Sequence, residues 1–526
     1  MFKTELYHYD KNISFFKKLY ITIIFFCFLV QLFLSNNLID YYLLSILTIL
    51  NLIIVFYCFD INSYNKFPLS FTIIFLSIFS LLGSSLIFKT LELHNLSKGL
   101  FLPFFTTNFL FLSSLILLFT HYIYVKRNIN NDRDNILLSI NKKIGLFDSN
   151  NRFLIRFGFL CIILLLLSRY IYNPGEINNT LEEGLPIWYS LITGLNIFYI
   201  IPFILIFSKS LFNKENKINY HTLLIFFVLI LIASIGSNRR DVIFFGLINI
   251  MIIYQILFLM GREIISKKNF LKISIIIVSF ILFYDQLLKF NYVYLYERGQ
   301  SDKRSFSENV ISFKNSFSKY FNSNEYSYYI QKIDKQIGTS YGDYYENILY
   351  ERLSVIEYAD NIFYNKKQYF SENEIDVIKS HQIGRLISIF PSPLINLINK
   401  KFDKKEYIFE TTASKINNWF NPFYVSRNDV GSFIAEAYFL FGYFSFIILI
   451  IFSTIYFYII DSFFSKSNGI FSIILLITLF HSSTHMAIIF AAPSFDTLIY
   501  NLRNIIQIII LFKIFEWVST KFTNKK

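Results

Sequence analysis

Apolar runs about as long as a bilayer is thick recur along this chain, and they decide what it can fold into. A helix needs ~20 mostly apolar residues to cross the hydrocarbon core. Twelve runs reach that length, at roughly 16–35, 40–59, 68–88, 101–125, 153–172, 187–208, 221–237, 241–260, 270–288, 431–460, 469–491 and 496–517. Charged residues make up 16% of the 526, where an ordinary soluble domain carries ~25%. So few charges cannot clothe a water-facing exterior, and a mean hydropathy of +0.47 points the same way. The fold class expected is an all-α polytopic integral membrane protein of about 12 transmembrane helices. Disordered, collagen-like and disulfide-scaffold classes are excluded. Cys27, Cys58 and Cys161 all lie inside apolar runs and read as small hydrophobes. The first run follows Lys3, Lys11, Lys17 and Lys18 and lacks a small-residue cleavage site, so it reads as a retained span.

A net charge of +13 raises the question of nucleic acid. The lysines and arginines answer it, because they collect in short loops between apolar runs and face lipid headgroups there. Placing the N-terminus in the cytoplasm puts Lys126, Arg127, Arg133, Lys142, Lys143 and Arg152 inside, with Lys209, Lys214, Lys217, Arg262, Lys267, Lys268, Lys521, Lys525 and Lys526. Glu176, Glu182 and Glu183 fall outside. Both termini are then cytoplasmic. His121 falls at a cytoplasmic span end and reads as a side chain reaching for the interface. One turn breaks the charge rule: Ser237-Asn238-Arg239-Arg240-Asp241, which lands outside.

Between the ninth and tenth spans lies a hydrophilic stretch, 291–430, on the outer side. The chain thus divides into a membrane part, 1–290, with nine spans, a mainly helical outer loop, 291–430, and a second membrane part, 431–526, with three spans. Such a length is too great for a connector. Asp343 with Glu346 has capping-box spacing and predicts a helix through about Tyr364; Ser371 with Glu374 predicts another through about Ile389. A weaker amphipathic stretch covers Ser305–Phe321. Phosphate loops, zinc spacings, nucleophile elbows and internal repeats are all lacking.

Candidate site residues follow from charge in the wrong place. Arg239 and Arg240 can hold a phosphate or diphosphate by bidentate hydrogen bonds; the plainer role is anchoring to lipid headgroups. His481 and His485 share one helix face in the outer half of the eleventh span, where an ionisable group is a functional candidate. Glu436 lies one or two turns inside the tenth span and suits a general base or an arginine partner. In the outer loop Arg352, the pair His381 and Arg385, and Arg427 are candidates for an anionic substrate, although solvated helix faces carry such residues routinely. The 64 phenylalanines accompany abundant Ile, Asn and Lys, as in an AT-rich genome, and say little about sugar binding.

Three stretches resemble bacterial oligosaccharide repeat-unit polymerases, the O-antigen or capsule polymerases of Wzy type. They are Ile235-Gly236-Ser237-Asn238-Arg239-Arg240-Asp241, then Ile389-Phe390-Pro391-Ser392-Pro393 with Lys400 beyond it, and Asp429-Val430-Gly431-Ser432-Phe433-Ile434-Ala435-Glu436-Ala437-Tyr438 running to Phe441-Gly442. Arg240 stands where that family usually has glycine. The resemblance implies a helical, GT-C-like glycosyltransferase body in the bacterial inner membrane, working at its outer face. It implies transfer of a polyprenyl-diphosphate-linked glycan onto the terminal sugar of another lipid-linked repeat unit, with polyprenyl diphosphate leaving. Arg239, Arg240, Arg352, His381, Arg385 and Arg427 would bind diphosphate or substrate, and Glu436 or His485 would act as base. No Asp-X-Asp pair occurs in the outer loop, so neither a metal nor a cofactor is expected. Expected partners are lipid-linked oligosaccharides, membrane lipids and a chain-length-regulating co-polymerase. A ligase using the same donor, a lipid-linked oligosaccharide flippase and a scaffold of an export complex are the alternatives. The long outer loop weighs against the flippase.

Overall fold

The computed structural model describes residues 2–129, 136–147, 151–171, 195–212, 219–236, 241–262, 306–321, 354–388, 431–480 and 497–523, with scattered positions between them. These are mostly helical. In chain order they form α1 (Phe2–Leu34), α2 (Leu38–Cys58), α3 (Pro68–Leu91), α4 (Pro103–Asn128), α5 (Asn151–Ile171), α6 (Tyr220–Gly236), α7 (Asp241–Leu259), α8 (Phe306–Phe321), α9 (Ile356–Tyr369), α10 (Glu372–Ser388), α11 (Phe433–Phe441), α12 (Ser445–Asp461), α13 (Ile473–Phe480) and α14 (Thr497–Thr523). Among the described residues five stretches are, by length and composition, apolar enough to cross a membrane: Asp10–Leu34, Leu38–Cys58, Pro68–Leu91, Pro103–Asn128 and Phe433–Asp461, the last of which is bent at Gly442. Apolar helices of this length mark a membrane protein. All three cysteines are buried and unpaired, as small hydrophobes would be.

The pillar of the molecule is α3. It is the most enclosed of the five, with 83% of its apolar window buried. Midway it widens into a π-helical turn, Phe79–Gly83. Asn51 of α2 fills the opening: its amide donates to the Gly83 carbonyl (3.2 Å) and its oxygen accepts from Tyr20 of α1 (2.6 Å). A Cβ on Gly83 would stand 3.0 Å from Asn51 Oδ1, so glycine is what admits the amide. Along one side of α3, α12 runs parallel to α4. Phe446 lies level with Phe109 (4.9 Å between ring centroids) and Phe457 level with Tyr124 (5.6 Å).

Several expectations need correction. The tenth apolar run is two helices folded back on each other. From Phe433 to Phe452 a straight helix would rise ~28 Å, yet those rings are 6.1 Å apart. The reversal is at Gly442, whose φ of +57° and ψ of −138° suit only a residue without Cβ. Because Phe452 lies between the levels of Phe446 and Phe457, the start of α11 sits about halfway down α4. The described part of the sixth run is helical but irregularly wound. Short 3₁₀ turns at Asn196–Ile200 and Leu205–Phe207 flank Ile201–Ile204. Pro202 has no N–H to give and its ring crowds the preceding turn. The ring packs where Gly158 of α5 leaves room, since a Cβ there would be 2.6 Å from Pro202 Cδ.

The eleventh run opens in a strand. Phe464–Ser465 and Ile470–Phe471 form an antiparallel hairpin (β1, β2), with Phe464 opposite Phe471, which the all-α expectation omitted. Arg262 lies over both rings (5.9 and 5.6 Å) and donates to the Ser210 carbonyl at 2.9 Å. His121 is fully enclosed and bonded to two hydroxyls, which corrects its assignment to the interface. Residues 270–288, the ninth run, lie outside the described residues.

The outer-loop helices are partly as predicted. The amphipathic stretch is α8. The Ser371/Glu374 box opens α10: the Glu374 carboxylate accepts from the Ser371 N–H (2.7 Å) and hydroxyl (2.8 Å). The helix expected from Asp343 to about Tyr364 is not continuous, because Ser354 and Val355 are non-helical and α9 runs on to Tyr369. Its residues before Ser354 lie outside the described ones. The break has a cause. The Val355 N–H donates to the Ser80 carbonyl at 3.1 Å, an acceptor on the π turn of α3.

Candidate functional site

α9, a piece of the expected outer segment, and α11, the first part of the tenth apolar run, enter the body of the bundle and meet there. α9 is wedged between α3, α4 and α11. Its Val355 reaches the middle of α3, while Asp360 reaches the start of α4. Both Asp360 oxygens are used: Oδ2 accepts from the Phe101 N–H (2.6 Å), and Oδ1 from the Leu102 N–H (3.0 Å) and the Thr106 hydroxyl (2.6 Å). α4 begins at Pro103 without a side-chain cap, and Asp360 instead fastens its entry, taking the N–H groups of the two residues that lead into it and a hydroxyl of its first turn. Burial pushes the Asp360 carboxyl above the usual carboxylate range, and its three donors pull it part of the way back. Phe363 packs on Phe105, Phe109 and Tyr438, with centroids 5.0–5.3 Å apart.

α11 is pinned at both ends. At its C-terminus Lys366 of α9 donates to the Tyr438 and Phe439 carbonyls (2.9 Å each) and lies 4.7 Å from the Tyr438 ring centroid. A cation over the last carbonyls of a helix complements its dipole. Burial lowers the Lys366 ammonium below the usual lysine range; Glu372 opposes that shift and Lys379 adds to it. At the N-terminal end lies Glu436, with no exposed surface. Its Oε1 accepts from the Tyr358 hydroxyl of α9 and from the Ser432 N–H, at 3.2 Å each. The described partners of this carboxylate are therefore neutral donors. Glu436 partly caps its own half-helix and is held in register by the inserted segment.

The other candidates are placed unevenly. His381 and Arg385 lie on α10, which packs on α11 through Lys379 over the Phe441 ring (5.7 Å). Arg385 is buried, and His381 packs its ring 5.5 Å from that of Tyr407. Neither is the solvated residue that the outer-loop setting suggested. Arg239, Arg240, Arg352, Arg427 and His485 lie outside the described residues. Sequence reasoning passed over Tyr358, Asp360 and Lys366. The signal was there, in one short helix that carries an acid, a phenol and a lysine beside the apolar Ile356, Ala359, Ile362 and Phe363. Among the described residues no group of three or more His, Cys, Asp and Glu side chains is arranged to hold a metal. No family model matches the chain, and no curated protein or solved structure matches it.

Proposed function

We propose that this protein polymerises lipid-linked oligosaccharide repeat units, transferring a polyprenyl-diphosphate-linked glycan onto the terminal sugar of a second lipid-linked unit. The proposal includes a GT-C-like body of about twelve spans in a bacterial inner membrane, with 291–430 outside. One observation carries it: Glu436 is a buried carboxylate on a half-helix that folds back into the bundle, directly beneath a segment of the expected outer loop. A buried carboxylate held by two neutral donors suits a general base for an acceptor hydroxyl. The donor is already activated by its diphosphate, so the remaining work is to position two substrates and stabilise the leaving group. Arg239, Arg240, Arg352, Arg427, Arg385 and His381 are the proposed diphosphate and substrate contacts, with His485 a second proposed base.

A transporter reading has its own support. Half-helices and interrupted spans near mid-bundle are how many secondary transporters build a substrate site, and the half-helix α11 and the π turn of α3 fit that description. Deleting the gene and sizing the surface glycan separates the readings. Single repeats on the surface are expected for a polymerase. No surface glycan points to a flippase, and long chains left on the carrier point to a ligase. Glu436→Gln should cut polymer formation by about 10²–10⁴-fold with protein level unchanged. Polymer of normal length and yield from that variant would remove Glu436 as the base.

A further inference from the structure

Toward the other end of α3 and α4, far from Glu436, four helices converge on a second buried polar group. His121 of α4 is fully enclosed. Its Nε2 is 3.0 Å from Ser70 Oγ on α3, and its Nδ1 is 2.9 Å from the Tyr57 hydroxyl on α2. The rings of Phe71 (4.6 Å) and Phe457 (4.8 Å) pack edge-on against the imidazole. Asp461, the last residue of α12, is 7% exposed. Its Oδ1 accepts the Ser70 N–H at 3.2 Å. The Ser70 and Tyr124 hydroxyls also lie beside this carboxylate, with the Ser70 hydroxyl donating to the Phe67 carbonyl (3.4 Å) and the Tyr124 hydroxyl to the Phe457 carbonyl (3.3 Å).

Part of this has a plain structural purpose. α3 begins at Pro68 with no side-chain cap of its own, and Asp461 Oδ1 caps it. That accounts for one oxygen. Oδ2 is buried and has no hydrogen-bond partner among the described residues. A buried, unsatisfied carboxylate oxygen is costly. This one also ends a helix, where the macrodipole disfavours negative charge. Capping needs neither Oδ2 nor an imidazole on the far side of Ser70.

We propose that Asp461 and His121, bridged by the Ser70 hydroxyl, form a proton-binding site. The proton enters from water on the side of the β1–β2 turn, where Lys466 stands, and resides on Asp461 Oδ2, with the imidazole as its exchange partner across Ser70. Exchange passes through Ser70, whose hydroxyl turns from the Phe67 carbonyl and gives its hydrogen to one neighbour as its oxygen receives one from the other, so no other covalent bond changes. The titratable and charged groups around the site are Tyr57, Cys58 and Asp60 at the end of α2, Tyr122 and Tyr124 on α4, Tyr458 on α12, and Lys466, whose ammonium lies 3.6 Å from the Phe67 ring centroid. The site is independent of the glycosyl-transfer reading. It gives the protein a way to couple proton uptake to the packing of α12 against α3.

Infrared difference spectroscopy on the full-length protein in lipid nanodiscs, stepped in pH, tests this. A buried carboxylic-acid carbonyl band should appear as pH falls and be absent in Asp461→Asn. His121→Gln keeps a hydrogen-bonding side chain but cannot titrate. Ser70→Ala removes only the bridging hydroxyl and leaves the backbone cap. Each should move the midpoint by about one pH unit, a tenfold change in proton affinity. A wild-type protein with no such band over the range where it stays folded would overturn the proposal. So would a band surviving in Asp461→Asn, or a midpoint unmoved by Ser70→Ala. If Asp461→Asn does not fold, Ser70→Ala decides the matter alone.

Discussion

Two helices of this bundle start with the same problem and are finished by different parts of the chain. α3 starts at Pro68 after Phe67, and α4 at Pro103 after Leu102; neither preceding residue offers a capping side chain. Each helix start is fastened by one remote aspartate, Asp461 at a first-turn N–H and Asp360 at the residues just before the helix. Asp461 sits on a neighbouring membrane helix and spends one oxygen on one N–H. Asp360 sits on an inserted segment and spends both oxygens on three donors. The first junction joins helices that run side by side along much of their length, so the cap adds to an interface that already exists. The second fastens a short helix to the body. In an apolar medium a free N–H has no water to fall back on, so the residues leading into α4 are satisfied only once α9 has arrived. What looks in sequence like a separate outer loop is part of how the membrane body folds.

The comparison breaks most directly at Asp360. Asp360→Ala removes the acceptor for two backbone N–H groups and a hydroxyl, all at a site 1% exposed. It should cost about 3 kcal/mol or more, read as a lowered midpoint for thermal unfolding of the protein in detergent. Amide exchange should rise together in α9 and the first turn of α4. If exchange rises in α9 alone, α4 does not depend on this aspartate. The same residue sets a pH dependence. Its folded-state pKa is raised, so between the ordinary carboxylate value and the raised value the folded protein binds more protons than the unfolded chain. This group's contribution to stability therefore falls as pH rises through that window. Asp360→Asn should flatten that slope, which denaturant titrations at several pH values would show.

Two substitutions test how α11 is held against α12. Gly442→Ala forces a Cβ into a left-handed conformation and should cost about 1–3 kcal/mol, although nothing lies within 4 Å to clash with it. The strain is purely in the backbone, so a cysteine pair placed at Phe433 and Phe452 should cross-link less readily when alanine is present. Unchanged cross-linking would mean that the fold-back does not rest on this glycine. Lys366→Met leaves the Tyr438 and Phe439 carbonyls without their shared cation and should cost about 1–2 kcal/mol. It should also loosen the C-terminal turn of α11 by hydrogen exchange.

How far the sequence discloses this depends on whether a feature is local. Hydropathy alone placed α1 to α4, because a span must be apolar along its whole length whatever it packs against. Ser371 and Glu374 announced α10, because a capping box is complete within four residues. The fold-back at Gly442 was hidden: a run from 431 to 460 is as apolar folded double as it is straight, and only the backbone at one glycine distinguishes the two. The irregular winding around Pro202 was visible as a residue type, and the gap at Gly158 that admits its ring was not. Asp360 and Tyr358 went unnoticed because their partners, Leu102 and Glu436, lie far away in sequence. Glu436 was singled out for its odd place in an apolar run, and its burial bears out that oddness, although its described partners are a phenol and an amide.

The smallest effect is expected where capping is local. Ser371→Ala removes a hydroxyl that bonds Glu374 and receives the Glu374 N–H at 3.4 Å, at the exposed start of α10. Water can replace that hydroxyl at little cost, so the loss should be about 1 kcal/mol. Exchange should quicken only in the first turn of α10, with α9 and α11 undisturbed. Asp360→Ala and Ser371→Ala each remove a side-chain acceptor at the start of a helix. Their difference measures what enclosure adds: at Asp360 the abandoned N–H groups face protein, and at Ser371 they face solvent. If the two variants lose similar stability, the start of α4 is reached by water, and α9 lies on the body rather than being built into it.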